Sequence, residues 1–181
     1  MKLMIVEKYR GVSMGKLKKI ASALVVIVCS TACFAKQISF QIVQHDDSAK
    51  EVTESSYSVE DVLMNIFFER GYIVTNSDAT VSESSEQDET FFNTGIGEAF
   101  NGFSDYFVQV KLFYEVDEKK LNKKADLYKI DYTVASAKSG KKILTKSISE
   151  IKKAGNGQVD YSYISTELIQ HINKAIKENK A

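Results

Sequence analysis

Residues 106–116 read Tyr-Phe-Val-Gln-Val-Lys-Leu-Phe-Tyr-Glu-Val, a run of aromatic and β-branched residues that predicts a long strand. A second strand is predicted over residues 125–136, after a Lys-rich turn, and a third runs from Lys142 to Ile148. The turn between the second and third strands is the short stretch Ala137-Lys-Ser-Gly140. Because short connections join antiparallel neighbours, the sequence predicts an antiparallel meander of three strands.

A strand, a helix and another strand are predicted upstream of the meander. Residues 38–44 alternate apolar and polar side chains, which predicts a strand with one buried face. The following helix is predicted to begin at Ser58 through an approximate capping box and to end at Gly71. Residues 72–75, Tyr-Ile-Val-Thr, then read as a short strand. The sequence therefore predicts a β-α-β unit over residues 38–75.

A last helix is predicted near the end of the chain, where apolar side chains recur at helical spacing from Tyr161 to Ile176. His171 lies on this apolar stripe, so we expect it to be packed or hydrogen-bonded in the core rather than to bind a metal. Together these elements predict an α+β fold. Its sheet is mixed and largely antiparallel, with about five strands, and two main helices pack on one face.

Two segments between the β-α-β unit and the meander are less regular. Residues 76–90 are rich in Ser, Glu, Asp and Gln, which predicts a mobile acidic loop without the spacing of a calcium site. Residues 91–103 carry aromatic residues at near-helical spacing, which predicts a short helix or flap. These apolar side chains either close the core or, if exposed, contact a partner. The candidate contact residues are Phe91, Phe92, Ile96, Phe100 and Phe103.

Residues 14–36 read Met-Gly-Lys-Leu-Lys-Lys-Ile-Ala-Ser-Ala-Leu-Val-Val-Ile-Val-Cys-Ser-Thr-Ala-Cys-Phe-Ala-Lys. A basic start, an apolar run and a small-residue end are the layout of a signal peptide, so we expect residues 1–35 to be a targeting segment that is cleaved after Ala35. The apolar run is shorter than the about 20 residues that span a bilayer. Lipidation of Cys33 and a retained membrane helix are the alternatives. We expect Met14 to be the true start and residues 36–181 to form a single domain.

Composition argues against several classes of function. Residues 36–181 hold 18 Lys and Arg against 23 Asp and Glu, a net charge of −5, which disfavours nucleic acid or anionic lipid as the main partner. Both cysteines, Cys29 and Cys33, lie in the targeting segment, so the domain has no disulfide framework. Gly95-Ile-Gly97 lacks the third glycine of a dinucleotide-binding turn. We expect no cofactor, no metal and no catalytic residue, and therefore no enzyme.

Three segments together resemble a known domain. Residues 68–78 end a helix and continue through Gly-Tyr-Ile-Val, residues 105–110 read Asp-Tyr-Phe-Val-Gln-Val, and residues 131–145 cross a Ser-Gly-Lys turn. The pattern resembles the α/β domain of bacterial envelope lipoproteins. This group includes the curli-export lipoprotein, the lipoprotein activators of penicillin-binding proteins and the amino-terminal domain of the Tol-system propeller protein. The resemblance implies a periplasmic docking or assembly module without a catalytic centre.

We therefore expect a non-catalytic exported protein that is periplasmic or secreted, or anchored at the outer membrane as a lipoprotein. Its expected partner is another envelope protein, which binds through residues 91–103 or a sheet edge. The membrane is expected to be a partner only through a lipid anchor. The alternative function is periplasmic binding of a small molecule or peptide on a concave sheet face. That face would be lined by Tyr106, Phe113, Tyr128 and Tyr132.

Overall fold

The computed structural model describes residues 35–116, 125–155 and 159–179. The predictions for Met14 and Cys33 lie outside these residues. The strands of the described chain are β1 (Gln37–His45), β2 (Ile73–Asn76), β3 (Thr80–Val81), β4 (Tyr106–Val116), β5 (Ala125–Ser136) and β6 (Lys142–Ile148). Its helices are α1 (Glu54–Glu69), α2 (Ser85–Asn101) and α3 (Tyr161–Glu178).

The strands form one sheet in the order β2-β1-β4-β5-β6, and β3 pairs with the carboxyl-terminal part of β1. β1 runs parallel to β2, β3 and β4. β4, β5 and β6 form the antiparallel meander. The predicted α+β fold with a mixed sheet is therefore confirmed, and the β-α-β unit and the meander both form.

Helices cover both faces of this sheet. α1 and α3 pack on one face, where Leu63 and Leu168 meet Phe40 of β1 in the larger core cluster. The two predicted helices on one face are thus confirmed. α2 packs on the opposite face, where its Phe92 meets Phe107 of β4 in a second, smaller cluster. Two main helices and a short helix or flap over residues 91–103 were expected, and the structure has a longer third helix at Ser85–Asn101.

The predicted acidic loop over residues 76–90 is wrong, because this segment contains the end of β2, the short β3 and the start of α2. Ser84 caps α2, since its side chain accepts a hydrogen bond from the backbone N–H of Gln87. Glu86 and Asp88 lie in the first turn, where negative charge is favoured by the helix dipole. The acidic residues of this segment therefore belong to the first turns of a helix. The apolar residues that pack this helix on the sheet come later, from Phe92 onward.

β1 is buried on both faces, so the prediction of a single buried face is also wrong. Every residue over 38–44 is buried, including the polar Ser39 and Gln41. These two polar residues were expected to face solvent, but they are buried beneath α2. One of them is paired there, because the amide Nε2 of Gln109 donates to Oε1 of Gln41 at 3.0 Å. α2 lies over this polar row, and the backbone carbonyl of Asp88 is 3.3 Å from the same Gln109 nitrogen.

The start of α1 is fixed by a side chain from β1 rather than by Ser58. Oε1 of Gln44 accepts hydrogen bonds from the backbone N–H of Thr53 at 2.8 Å and from the hydroxyl of Ser56 at 2.7 Å. The hydroxyl of Ser58 instead donates to the carbonyl of Glu54 within the helix. α1 therefore begins four residues before the predicted capping box, because its cap comes from the neighbouring strand.

The seat of α2 on the sheet depends on a glycine. A Cβ atom at Gly95 would lie 2.4 Å from Cζ and 2.7 Å from Cε2 of Phe107, whose ring is fully buried. The ring of Phe107 packs against the ring of Phe92 with centroids 5.6 Å apart. Gly97, two residues further along the helix, has nothing within 4 Å of its Cβ position. Gly95 therefore lets the helix backbone approach the sheet.

We predict that Gly95→Ala destabilises the domain and that Gly97→Ala does not. The added methyl group at residue 95 overlaps a ring that has no room to move, and overpacking of this kind costs about 1–3 kcal/mol of unfolding free energy. Gly97→Ala gains about 0.5–1 kcal/mol, because alanine is the better helix former at an open position. Urea denaturation of both variants checks the pair. Equal stability of the two variants would contradict the packing described for α2.

Candidate functional site

The predicted concave pocket does not form. Tyr132 is buried beneath α3, and its hydroxyl lies 2.5 Å from Nδ1 of His171. Tyr106 is also buried on that face. Phe113 instead stacks on His45, and Tyr128 is half-exposed at a bulge where the β4–β5 register shifts. The four aromatic residues are divided between two faces by strand alternation and by this bulge, so the predicted binding face is wrong.

His171 occupies the position expected of it, in a hydrogen-bonded contact with the core. Its ring is stacked on that of Tyr132, with centroids 6.3 Å apart. Burial raises the pKa of Tyr132 well above the ordinary value for tyrosine, so the phenol stays neutral and can donate to the imidazole. The pair joins α3 to β5 and uses the ring nitrogen of His171 that faces the core.

The five predicted contact residues separate into core and surface. Phe92 is only 3% exposed and packs against Phe107, so the first of the two alternatives, closing the core, applies to this residue. Phe91 and Ile96 are partly buried along the same helix. Phe100 and Phe103 are 55% and 88% exposed. The carboxyl-terminal end of α2 therefore presents two rings to solvent.

Phe103 adopts a backbone conformation that usually belongs to glycine. Its φ is 61°, and it is the one residue other than glycine with positive φ in the described part of the chain. The N–H of Phe103 bonds the carbonyl of Phe100 at 3.1 Å, and the N–H of Ser104 bonds that of Ala99 at 2.8 Å. This is the Schellman pattern of helix ends, in which the left-handed residue is normally glycine. Here Gly102 precedes that position, and a large exposed ring occupies it.

A groove of about 430 Å³ lies between β6 and α3. Apolar side chains of its wall come from Ile143 and Leu144, while Lys146 and Lys174 contribute positive charge. Within the described residues β6 pairs with β5 alone, so its outer edge carries backbone groups without a neighbouring strand. The opposite side of the sheet offers less, because β2 has four residues and β3 has two, whereas β6 has seven.

A cluster of charged side chains joins α2 to the face of the sheet opposite α1 and α3. Asp88 lies between His45, with Nε2 3.0 Å from Oδ1, and Lys111, with Nζ 3.1 Å from Oδ2. The imidazole also stacks on Phe113, and the ammonium of Lys129 lies 4.3 Å from the centroid of the Phe113 ring. The carboxylate of Asp88 is thus used in joining the first turn of α2 to β1 and β4.

Neither a metal-binding cluster nor a spanning helix is found in the portion of the chain that the structure describes. No group of three or more His, Cys, Asp or Glu side chains there could hold a metal ion. None of its helices is both long enough and apolar enough to cross a bilayer.

Comparison with known proteins identifies a family and several similar folds. A family model described as "Uncharacterised protein" matches residues 37–179. No curated protein sequence matches the chain. The fold is similar to that of the lipoprotein GNA1162 from Neisseria meningitidis, at 13% identity and a TM-score of 0.43, over 79% of this chain and 99% of that one.

Two further solved structures are similar at the same level. One is the PelC dodecamer from Paraburkholderia phytofirmans, with 10% identity, a TM-score of 0.41 and coverage of 73% of this chain and 79% of that one. The other is the hypothetical protein CT253 from Chlamydia trachomatis, with 10% identity, a TM-score of 0.38 and coverage of 63% and 70%. One of the similar structures, that from Neisseria meningitidis, is described as a lipoprotein.

We predict that Phe103→Gly stabilises the domain, whereas Phe103→Ala does not. Glycine relieves the left-handed strain that any Cβ atom causes, which is worth about 1 kcal/mol. Alanine removes the same ring but keeps the Cβ atom, so the difference between the two variants isolates the backbone term. Thermal unfolding should show a midpoint about 3 °C higher for the glycine variant. A lower midpoint for Phe103→Gly would show that the ring itself holds the fold together.

Proposed function

We propose that this chain, which belongs to the family described as "Uncharacterised protein", functions through the open edge of its sheet. It is an exported, non-catalytic docking module of the bacterial cell envelope. It binds an extended, acidic segment of another envelope protein as an added strand along β6.

The observation that carries the proposal is the open edge of β6 beside the groove. An extended segment that pairs with β6 satisfies the outward-facing N–H and C=O groups of a seven-residue strand. Every second side chain of that segment then points toward α3, where the groove has room for it. Main-chain pairing supplies affinity, and the groove between Leu144 and Ala175 supplies side-chain selection.

The charge of the groove favours an acidic partner. Lys141, Lys146 and Lys174 line it, and one carboxylate, that of Glu178, lies among them and within 3.9 Å of Lys174. The domain over 36–181 has a net charge of −5, so this is a local basic region on an acidic protein. A second copy of the chain would bring its own lysines to the same edge. Like charges along edge strands oppose such pairing, which favours a different protein as partner.

Export and the envelope location are supported by the sequence. Residues 14–36 have the layout of a signal peptide, and the domain resembles the α/β domain of envelope lipoproteins. A periplasmic or secreted form follows from cleavage after Ala35, and an outer-membrane form follows from lipidation of Cys33. In both forms the β6 edge belongs to the exported domain and meets other envelope proteins.

A non-catalytic role is supported by the contacts that the two histidines of the domain make. Residues 36–181 contain no cysteine and two histidines. His171 bonds Tyr132, and His45 pairs with Asp88 while it stacks on Phe113. Each imidazole therefore lies in a contact between secondary-structure elements: His171 joins α3 to β5, and His45 packs between β4 and α2.

Photo-crosslinking in the producing cells tests the docking edge. A photoreactive residue replaces Thr145, whose exposed side chain points away from the groove and leaves its lysines intact. We expect a discrete adduct with an envelope protein at this position. The adduct should be reduced at least several-fold by Lys146→Glu together with Lys174→Glu, because an acidic segment is then repelled.

The control places the photoreactive residue at Lys50, which is exposed in the segment between β1 and α1, far from β6 along the sheet. The proposal requires that this position give no such adduct. Adducts of equal yield at both positions, or an adduct at Thr145 that survives the double charge reversal, would contradict it.

A further inference from the structure

The exposed Phe and Ile side chains of the described residues gather at one end of the domain. Phe68 is 71% exposed and Ile73 is 50% exposed, and they accompany Phe100 and Phe103. We call these four residues the proximal apolar patch. The other large exposed apolar residues are tyrosines, Tyr57, Tyr128 and Tyr163, and they lie toward the other end. The most apolar exposed rings are therefore concentrated rather than scattered.

Strand direction explains why the patch residues share one end of the domain. β1, β2 and β4 are parallel, so all three begin at the same end of the sheet, with Gln37 beside Ile73 and Ile38 beside Tyr106. The side-chain amide of Gln37 donates to the carbonyl of Gly102 at 2.8 Å, which places the Phe103 turn against the start of β1. Phe68 lies in the last turn of α1, just before β2.

The same end is flanked by basic side chains. Lys36 precedes β1, and its backbone carbonyl accepts a hydrogen bond from the N–H of Ile73 at 2.9 Å. Arg70 follows Phe68 at the end of α1. Lys138 lies in the β5–β6 turn, which Ala137 fixes by donating its N–H to the carbonyl of Asp105 at 3.0 Å. The ammonium of Lys36 donates to the hydroxyl of Tyr106 at 2.9 Å, whereas Arg70 and Lys138 are exposed. Exposed aromatic residues beside Lys and Arg are typical of surfaces that enter the headgroup layer of anionic membranes.

The first residues of the domain, Ala35 and Lys36, lie at the same end as this patch. Residues 1–34 precede Ala35 and include the apolar run of the targeting segment. Two of the three fates predicted for that segment, lipidation of Cys33 and retention as a membrane helix, hold a bilayer next to Lys36. At about 3.5 Å per residue, the three steps from Cys33 to Lys36 span at most about 10 Å. The patch is then within reach of the headgroups without any rearrangement of the domain.

We infer that the proximal apolar patch is a lipid-binding surface, on which the domain seats against an anionic headgroup layer with Phe103 inserted. The left-handed backbone of Phe103 supports the inference, because a strained, exposed aromatic ring is retained where glycine would suit the fold better. β6 is the edge strand of the sheet, whereas the patch lies at the end of the sheet where β1, β2 and β4 begin. This role goes beyond the docking function and does not depend on it.

A single-tryptophan probe tests the inference, because the sequence contains no Trp. Phe103→Trp is made in the full chain as an exporting bacterium produces it, and Tyr57→Trp, at the other end of the domain, is the matched control. Each variant is mixed with phosphatidylethanolamine–phosphatidylglycerol vesicles whose acyl chains carry bromine. We expect the emission of the tryptophan at position 103 to shift to shorter wavelength and to be quenched by bromine, while that at position 57 stays unquenched.

Each other outcome overturns the inference. An unquenched tryptophan at position 103 on chains that sediment with the vesicles would mean that the targeting segment alone binds lipid. A concentration-dependent shift at position 103 without vesicles would assign the patch to a second copy of the chain. Equal quenching by brominated phosphatidylcholine vesicles would remove the role of Lys36, Arg70 and Lys138. Lys146→Glu alone, which leaves Arg70 and its neighbour Lys174 unchanged, should leave the quenching unchanged, so failure of the β6 proposal is read separately.

Discussion

The parallel pairing of β1 on both of its sides is the constraint on which the rest of the structure depends. A strand with parallel neighbours is buried on both faces, and every residue over 38–44 is buried here. Helices must therefore cover both faces, with α1 and α3 on one and α2 on the other. The polar groups of β1 must also be paired, which Gln109 does for Gln41 and the start of α1 does for Gln44.

Local sequence patterns predicted the parts of the fold that local patterns determine. The meander follows from alternation and a short turn, and α1 and α3 follow from wide apolar stripes. α2 was predicted only as a short helix or flap, because its apolar stripe is narrow and contains Gly95. Glycine has low helix propensity, but contact with Phe107 requires it here. The cap of α1 was missed for a related reason. Its acceptor, Gln44, belongs to the preceding strand rather than to the helix.

The candidate site was less predictable, because exposure and edge position are properties of the tertiary structure. Phe92 and Phe103 belong to the same aromatic segment, yet one is buried against the sheet and the other projects into solvent. No sequence pattern indicates that β6 lies at the edge while β5 lies inside, since both are strands of one meander. One sequence signal for Phe103 was available, namely a glycine followed by a large residue at a helix end.

We propose two functional surfaces for the domain, a lipid-facing end where β1, β2 and β4 begin and a basic strand edge at β6. Hydrogen exchange of the full chain, compared between the isolated protein and envelope preparations from the producing cells, tests the central claim of this account most directly. The account predicts slower exchange of β6 amides in the envelope, and restoration of fast exchange when Lys146 and Lys174 are changed to glutamate. Identical exchange of β6 in the isolated protein and in the envelope would contradict it.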